Sequence, residues 1–147
     1  MDVTAILDAP CSRDALFVWV ADLGRYPQWL DIVPRAVPAD STGDQPAWTI
    51  DLRGRLGPFA RSKRLRMVRT THDEPKSVVF ERQERDGRSH SPWLLEAAVS
   101  EGDAGGSRLT MHLHYGGGLW GPLVERLLTD EIERSRPRLL ALLDQRA

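Results

Sequence analysis

The stretch from Trp48 to Arg69 reads WTIDLRGRLGPFARSKRLRMVR. Gly57-Pro58 near its centre is a turn dipeptide. Folded back about that turn, Trp48 lies opposite Met67 and Ile50 opposite Leu65. The alternate residues place Asp51 opposite Arg64. One face is apolar and the other pairs opposite charges, the pattern of an antiparallel sheet covered on one side and wet on the other.

The same construction extends in both directions. Asp86-Gly87 is a strong two-residue hairpin signal. His72 to Pro75 makes a four-residue connection, and Glu101 to Ser107 a longer loop. Pairing outward from these turns sets Met67 against Phe80, Phe80 against Trp93, and Trp93 against Tyr115. With Trp48, these residues form one row on one face. Leu95, Met111 and Leu113 join that face, while Arg66 opposite Glu81 and Glu96 opposite His112 dress the other. A one-residue slip in any turn would send a strand's apolar set to the wrong face.

Before this meander, Val3 to Ala9 alternates as a first strand. Ser12 is placed to cap a helix, and Asp14 suits its positive end. Leu16, Phe17, Val20 and Leu23 mark that helix's apolar stripe, with Gly24 as its stop. Tyr26 to Leu30 forms a second short helix with Pro27 in its first turn. Pro34 and Pro38 bound a short edge strand. After the meander, Gly116 to Gly118 turn a corner into a long helix, Leu119 to Gln145. Its buried side is Leu123, Leu127, Leu128, Ile132, Leu139, Leu142 and Leu143. Pro137 should bend it. Only this helix has an apolar face large enough to cover the sheet. The fold class is α+β: a curved antiparallel sheet of about seven strands around a long C-terminal helix. The whole chain, 1–147, reads as a single domain, since no linker, repeat or low-complexity tract divides it.

The order of elements, with Ala9-Pro10 before the first helix and Asp22, Tyr26, Pro27 and Trp29 after it, resembles the START-like (SRPBCC) superfamily. The nearest likeness is to its bacterial polyketide cyclase/dehydrase and lipid-transport members. The resemblance implies a helix-grip fold with a pocket between sheet and long helix, opening near the hairpin loops. Its members share neither one ligand nor one reaction, and no catalytic motif of the aromatase/cyclases maps onto residues of this chain.

Charge and composition narrow the partners. The formal net charge of −1, with 41% hydrophobic and 28% charged residues, gives no global field favouring nucleic acid or a membrane. No apolar run is long enough for membrane insertion; the longest is Ala15 to Ala21. The lone Cys11 and the absence of a signal peptide make a cytoplasmic location the expectation. No cofactor or metal is expected. His72, His90, His112 and His114 lack a known ligand spacing, and no phosphate-binding or nucleophile motif occurs. Asp51 to Arg69 holds seven basic residues and one acid, but they divide between both faces, so a solvated strand surface is expected over a phosphate site.

The candidate ligand-binding residues are therefore on the concave face. Trp48, Met67, Phe80, Trp93 and Tyr115 supply apolar wall or plain core. Tyr115 also carries a hydroxyl that needs a partner if buried. Arg82 and Ser91 point inward beside Leu65, and Lys63 and Glu84 face each other one row further out. A few polar groups in an apolar pocket orient a ligand. The alternative is structural: a Lys63–Glu84 ion pair, and Arg82 held by Glu125 or Glu131, because buried charges need partners. Three functions follow: carriage of a small lipophilic molecule, a cyclase or dehydratase acting in the same pocket, or a partner protein with a vestigial pocket.

Overall fold

The computed structural model describes residues 2–56, 59–116 and 121–144, with only the backbone of 55–56, 59–61, 121–125 and 127. Gly57-Pro58, Gly117, Gly118 and Leu119, the residues beyond Asp144, and the side chains of Leu123, Glu125 and Leu127 lie outside the described residues.

Seven strands form one antiparallel sheet: β1 (Asp2–Ala9), β2 (Arg35–Thr42), β3 (Gln45–Leu56), β4 (Phe59–Asp73), β5 (Ser77–Arg82), β6 (Trp93–Glu101) and β7 (Ser107–Tyr115). Their order across the sheet is β1-β7-β6-β5-β4-β3-β2. Between β1 and β2 lie α1 (Arg13–Val20) and a 3-10 helix (Leu23–Gln28), and α2 (Gly121–Asp144) ends the described fold. This is the helix-grip architecture expected from the sequence.

Two of the sheet's expected registers hold and two move. Trp48 pairs with Met67 and Asp51 with Arg64, and Trp93 pairs with Tyr115 and Glu96 with His112. Met67, however, pairs with Arg82, and Phe80 with Arg69. Phe80's partner on the other side is Leu95, not Trp93, and Glu81 meets Val68, not Arg66. The β4–β5 turn closes on Asp73 and Ser77, and a bulge between Arg69 and Thr71 then shifts the ladder back by one residue. The net displacement of Met67's partner is two residues, so the side chains up to Arg69 keep their expected faces, while beyond the bulge His72 takes the face of Val78 and stacks on Phe17 at 5.6 Å. Asp86-Gly87 does not make a two-residue hairpin. It sits within a loop over 83–92, where Asp86 Oδ1 accepts from Arg88 N at 3.0 Å and Gly87 takes φ +72°.

The helices also adjust. Ser12 Oγ accepts from Ala15 N at 3.2 Å, as its cap role requires. Gly24 does not end α1, which stops at Val20 with Ala21 as its cap; Gly24 lies within the 3-10 helix, where its N–H donates to Asp22 Oδ1 at 2.8 Å. Pro38 lies inside β2 rather than at its end, tolerated because β2 is an edge strand. α2 continues through Pro137, and its buried residues include Leu128, Ile132, Leu139 and Leu143.

The core lies between the concave sheet face and the helices. Tyr26 and Trp29 are fully buried in it, their ring centroids 5.0 Å apart. Tyr26 Oη donates to Val20 O at 2.9 Å, and Trp29 Nε1 to Trp19 O at 3.3 Å. The Asp22–Trp29 motif is thus fastened to α1, and Tyr26 meets Phe80 of the sheet edge to face at 6.2 Å. Arg69 completes this attachment: its Nη1 donates to Ala21 O at 2.9 Å, and its guanidinium lies 5.9 Å from the Trp48 ring centroid.

Candidate functional site

Strand alternation turns Ile50, Leu65, Met67, Leu95 and Met111 inward, and α2 presents Leu128 and Ile132 towards them. Leu23, Tyr26, Leu30, Ile32 and Val33, from the 3-10 helix and the segment after it, close the remaining side. Together with Val3, Leu52, Trp93 and Leu113 they enclose a cavity of about 70 Å³. Every described lining side chain is aliphatic, thioether or aromatic. The single hydroxyl among them, on Tyr26, is committed to Val20 O. Burial pushes its phenol pKa up, aided by the nearby Asp22 carboxylate, so it stays protonated at neutral pH.

The predicted site residues separate into three groups. Met67 and Trp93 line the cavity. Trp48, Phe80 and Tyr115 are buried in the packing around it. Trp48 meets Phe80 edge to face at 5.6 Å, and Tyr115 stacks on Trp93 at 5.1 Å. The polar residues gather at the strand ends. Arg82 Nε donates to Glu84 Oε1 at 3.1 Å, its Nη1 to Ser91 O at 3.2 Å, and its Nη2 approaches His90 Nδ1 at 3.3 Å. Glu84 Oε1 also accepts from Arg66 N at 2.9 Å. Glu84 therefore pairs with Arg82, not with Lys63. Glu131 pairs with Arg134.

Lys63 pairs across the ladder with Leu52, and its Nζ lies 5.9 Å from the Trp93 ring centroid. Lys63 also lines a groove of about 440 Å³ with Pro34, Arg35, Asp51, Leu52, Arg53, Ser62 and Arg64. Arg64 Nε donates to Asp51 Oδ1 at 2.8 Å. This bond, with Arg35 and Arg53 nearby, holds the Asp51 carboxyl below the usual carboxylate range. Three arginines thus act on one carboxylate.

Sequence reasoning passed over two contributors. Arg69 shares Met67's parity and faces inward, a signal that was available. Leu30, expected to end the second short helix, lies beyond it, since the 3-10 helix spans Leu23–Gln28; Ile32 and Val33 gave no periodic signal, because they belong to no helix or strand. His112 Nε2 and His114 Nδ1 both lie 3.0 Å from Asp2 Oδ1 on the outer face. Among the described residues no group of three is placed to hold a metal ion, and no helix is long and apolar enough to cross a membrane.

A curved antiparallel sheet gripping a C-terminal helix, with an apolar cavity between them, defines the START-like class. The chain belongs to the polyketide cyclase / dehydrase and lipid transport family, whose model matches residues 2–143. Among solved structures it is similar to a START superfamily protein from Mycobacterium smegmatis, with a TM-score of 0.73, 16% identity, and 99% of both chains covered. It is also similar to the Zhui aromatase/cyclase from Streptomyces sp. R1128, with a TM-score of 0.65, 12% identity, and 99% of this chain and 94% of that one covered. The di-domain aromatase/cyclase StfQ of the steffimycin biosynthetic pathway gives a TM-score of 0.69 at 13% identity, covering 99% of this chain and 51% of that one. No curated protein matches the sequence.

Proposed function

We propose that this protein binds a small lipophilic molecule in the cavity between the sheet and α2. The carrying observation is the lining: sixteen described residues without a charged side chain, and a lone hydroxyl already bonded to backbone. Such a wall excludes water and rewards apolar surface, at about 25 cal/mol per Å² buried. It aims no acid or base at the cavity from the described residues, which supports carriage over cyclisation or dehydration. Arg82 and Ser91 contribute to the rim network, and Met67 and Trp93 to the wall.

At about 70 Å³ the cavity is well below the roughly 300–1,000 Å³ of pockets that take drug-sized ligands. Binding therefore enlarges it. Met67 and Met111 are suited to that, being unbranched and adaptable. The test is titration with the uncharged fluorophore N-phenyl-1-naphthylamine, beside native mass spectrometry of the purified protein. Saturable binding is expected, and Leu95→Trp, which fills the cavity, should abolish it while melting stays cooperative. Absence of saturable binding and of any co-purified small molecule would overturn the proposal.

A further inference from the structure

We infer that the ligand is an amphiphile whose apolar part enters the cavity and whose anionic group, of the carboxylate type, rests on Lys63. This rests on the proposed binding function and specifies the ligand's chemistry.

Two observations place Lys63 at the cavity's rim. Its cross-strand partner Leu52 lines both the cavity and the basic groove. Its ammonium lies over Trp93 at 5.9 Å, and Trp93 is itself cavity wall. The aliphatic stem can thus lie along apolar surface while the charge stays at the edge.

The charge there is not neutralised by the nearby acids. Glu84 is held by Arg82 and Asp51 by Arg64; among the described residues, Lys63 has the Trp93 ring and no carboxylate. Arg35, Arg53 and Arg64 in the adjoining groove add positive potential in a chain whose formal net charge is −1. Among the described lining, the polar atom left without a partner is the buried Trp93 indole Nε1, a donor on the ring that Lys63 overlies. Both groups favour an acceptor at the Trp93–Lys63 side of the cavity, where the field selects a negative charge.

Decanoate and 1-decanol, charged and uncharged amphiphiles of equal chain length, test this by displacement of N-phenyl-1-naphthylamine at low salt. Wild type should bind decanoate about tenfold or more tightly than decanol, as expected for one charge-assisted contact. Lys63→Met should bring the ratio near one and leave decanol affinity unchanged. Lys76→Met, which removes an equal charge from the exposed β4–β5 turn, should preserve the preference. Equal affinities in wild type would overturn the anionic assignment and leave the lipophile reading standing. A preference that survives Lys63→Met, or falls equally with Lys76→Met, would overturn the role of Lys63. Failure of both amphiphiles and of the fluorophore to bind would remove the binding function and this inference with it.

Discussion

Arg82 and Glu84, two residues apart at the end of β5, form an ion pair of 3.1 Å in which the guanidinium side chain is only 8% exposed and the carboxylate side chain 20%. The same carboxylate oxygen accepts from the backbone N–H of Arg66, next to the position where β5 ends. A side chain thereby continues the hydrogen bonding that the departing strand abandons. The other donors of Arg82 go to Ser91 O and His90, so this network ties the 83–92 loop to the sheet.

Glu84→Ala should therefore destabilise the protein by about 1.5–3 kcal/mol, leaving a nearly buried guanidinium without its countercharge. Arg82→Met should also lower the melting temperature, while affinity for an uncharged apolar probe should hold. Urea unfolding and probe titration on the same variants check both. An Arg82→Met protein of unchanged stability that loses ligand affinity would move Arg82 from the framework to the binding site.

The ends of α2's buried face make a second comparison. Leu139 is fully buried, while Ile132 is buried but lines the cavity. Leu139→Ala opens a new void in closed packing and should cost towards the upper end of about 2–5 kcal/mol. Ile132→Ala enlarges a void that already exists and should fall near the lower end. It should also strengthen binding of bulky apolar probes. Chemical denaturation of the pair, with probe titration of Ile132→Ala, checks the order; a smaller loss at Leu139 would mean that α2 packs differently.

Much of this arrangement was legible in the sequence because alternation is a rigid constraint. Trp48 and Met67, and Trp93 and Tyr115, are read correctly from their turns. The β4–β5 register was not, since the turn and the bulge moved it in opposite senses and neither leaves a mark in the residues. The faces up to Arg69 survived because the net shift was even. The Asp86-Gly87 signal failed for a different reason: β5 ends at Arg82 and β6 begins at Trp93, and Arg66 N there meets the Glu84 side chain instead of a hairpin partner. The partner of Arg82 was sought on the distant helix, but it lay two residues away, where strand alternation alone does not show a side chain folding back. The apolar wall of Ile32 and Val33 has no period at all, so only the folded chain reveals it.

Tyr26 links burial to alkaline stability. Its hydroxyl is buried and bonded to Val20 O, and burial raises its pKa above the ordinary tyrosine value of about 10. The folded state therefore resists losing this proton, while the unfolded chain loses it freely. The stabilisation is fully present below about pH 10 and declines as pH rises further. Tyr26→Phe should cost about 1 kcal/mol at pH 7 through the lost hydrogen bond. The gap between wild type and variant should shrink above about pH 10, since phenylalanine has nothing to ionise. A gap that is constant or widens through the alkaline range, measured by urea unfolding at fixed ionic strength, would contradict a buried, protonated Tyr26.

Arg138 and Asp31 carry the corresponding argument at acid pH. The Arg138 guanidinium on α2 donates to both carboxylate oxygens of Asp31, the second bond being 3.1 Å. Asp31 adjoins Leu30, Ile32 and Val33, which wall the cavity opposite Leu128 and Ile132 of α2. The pair thus joins the two elements that must separate if the cavity is to widen on that side. The Arg138 bond is the main cause holding the Asp31 carboxyl below its usual range. Its contribution is therefore present above the unfolded carboxylate pKa of about 4, and it is lost as pH falls through the lower folded value. Both side chains are about half exposed, so solvent and salt screen the pair and its worth is at most about 1 kcal/mol. Asp31→Asn should lower stability by that amount at pH 7 and low salt. The difference should close below about pH 4 and narrow at high salt. Because the pair spans the cavity's edge, the same variant should release a bound apolar probe faster in stopped-flow displacement. Unchanged release with the expected acid profile would make the pair a surface tether and would place the cavity's entrance elsewhere.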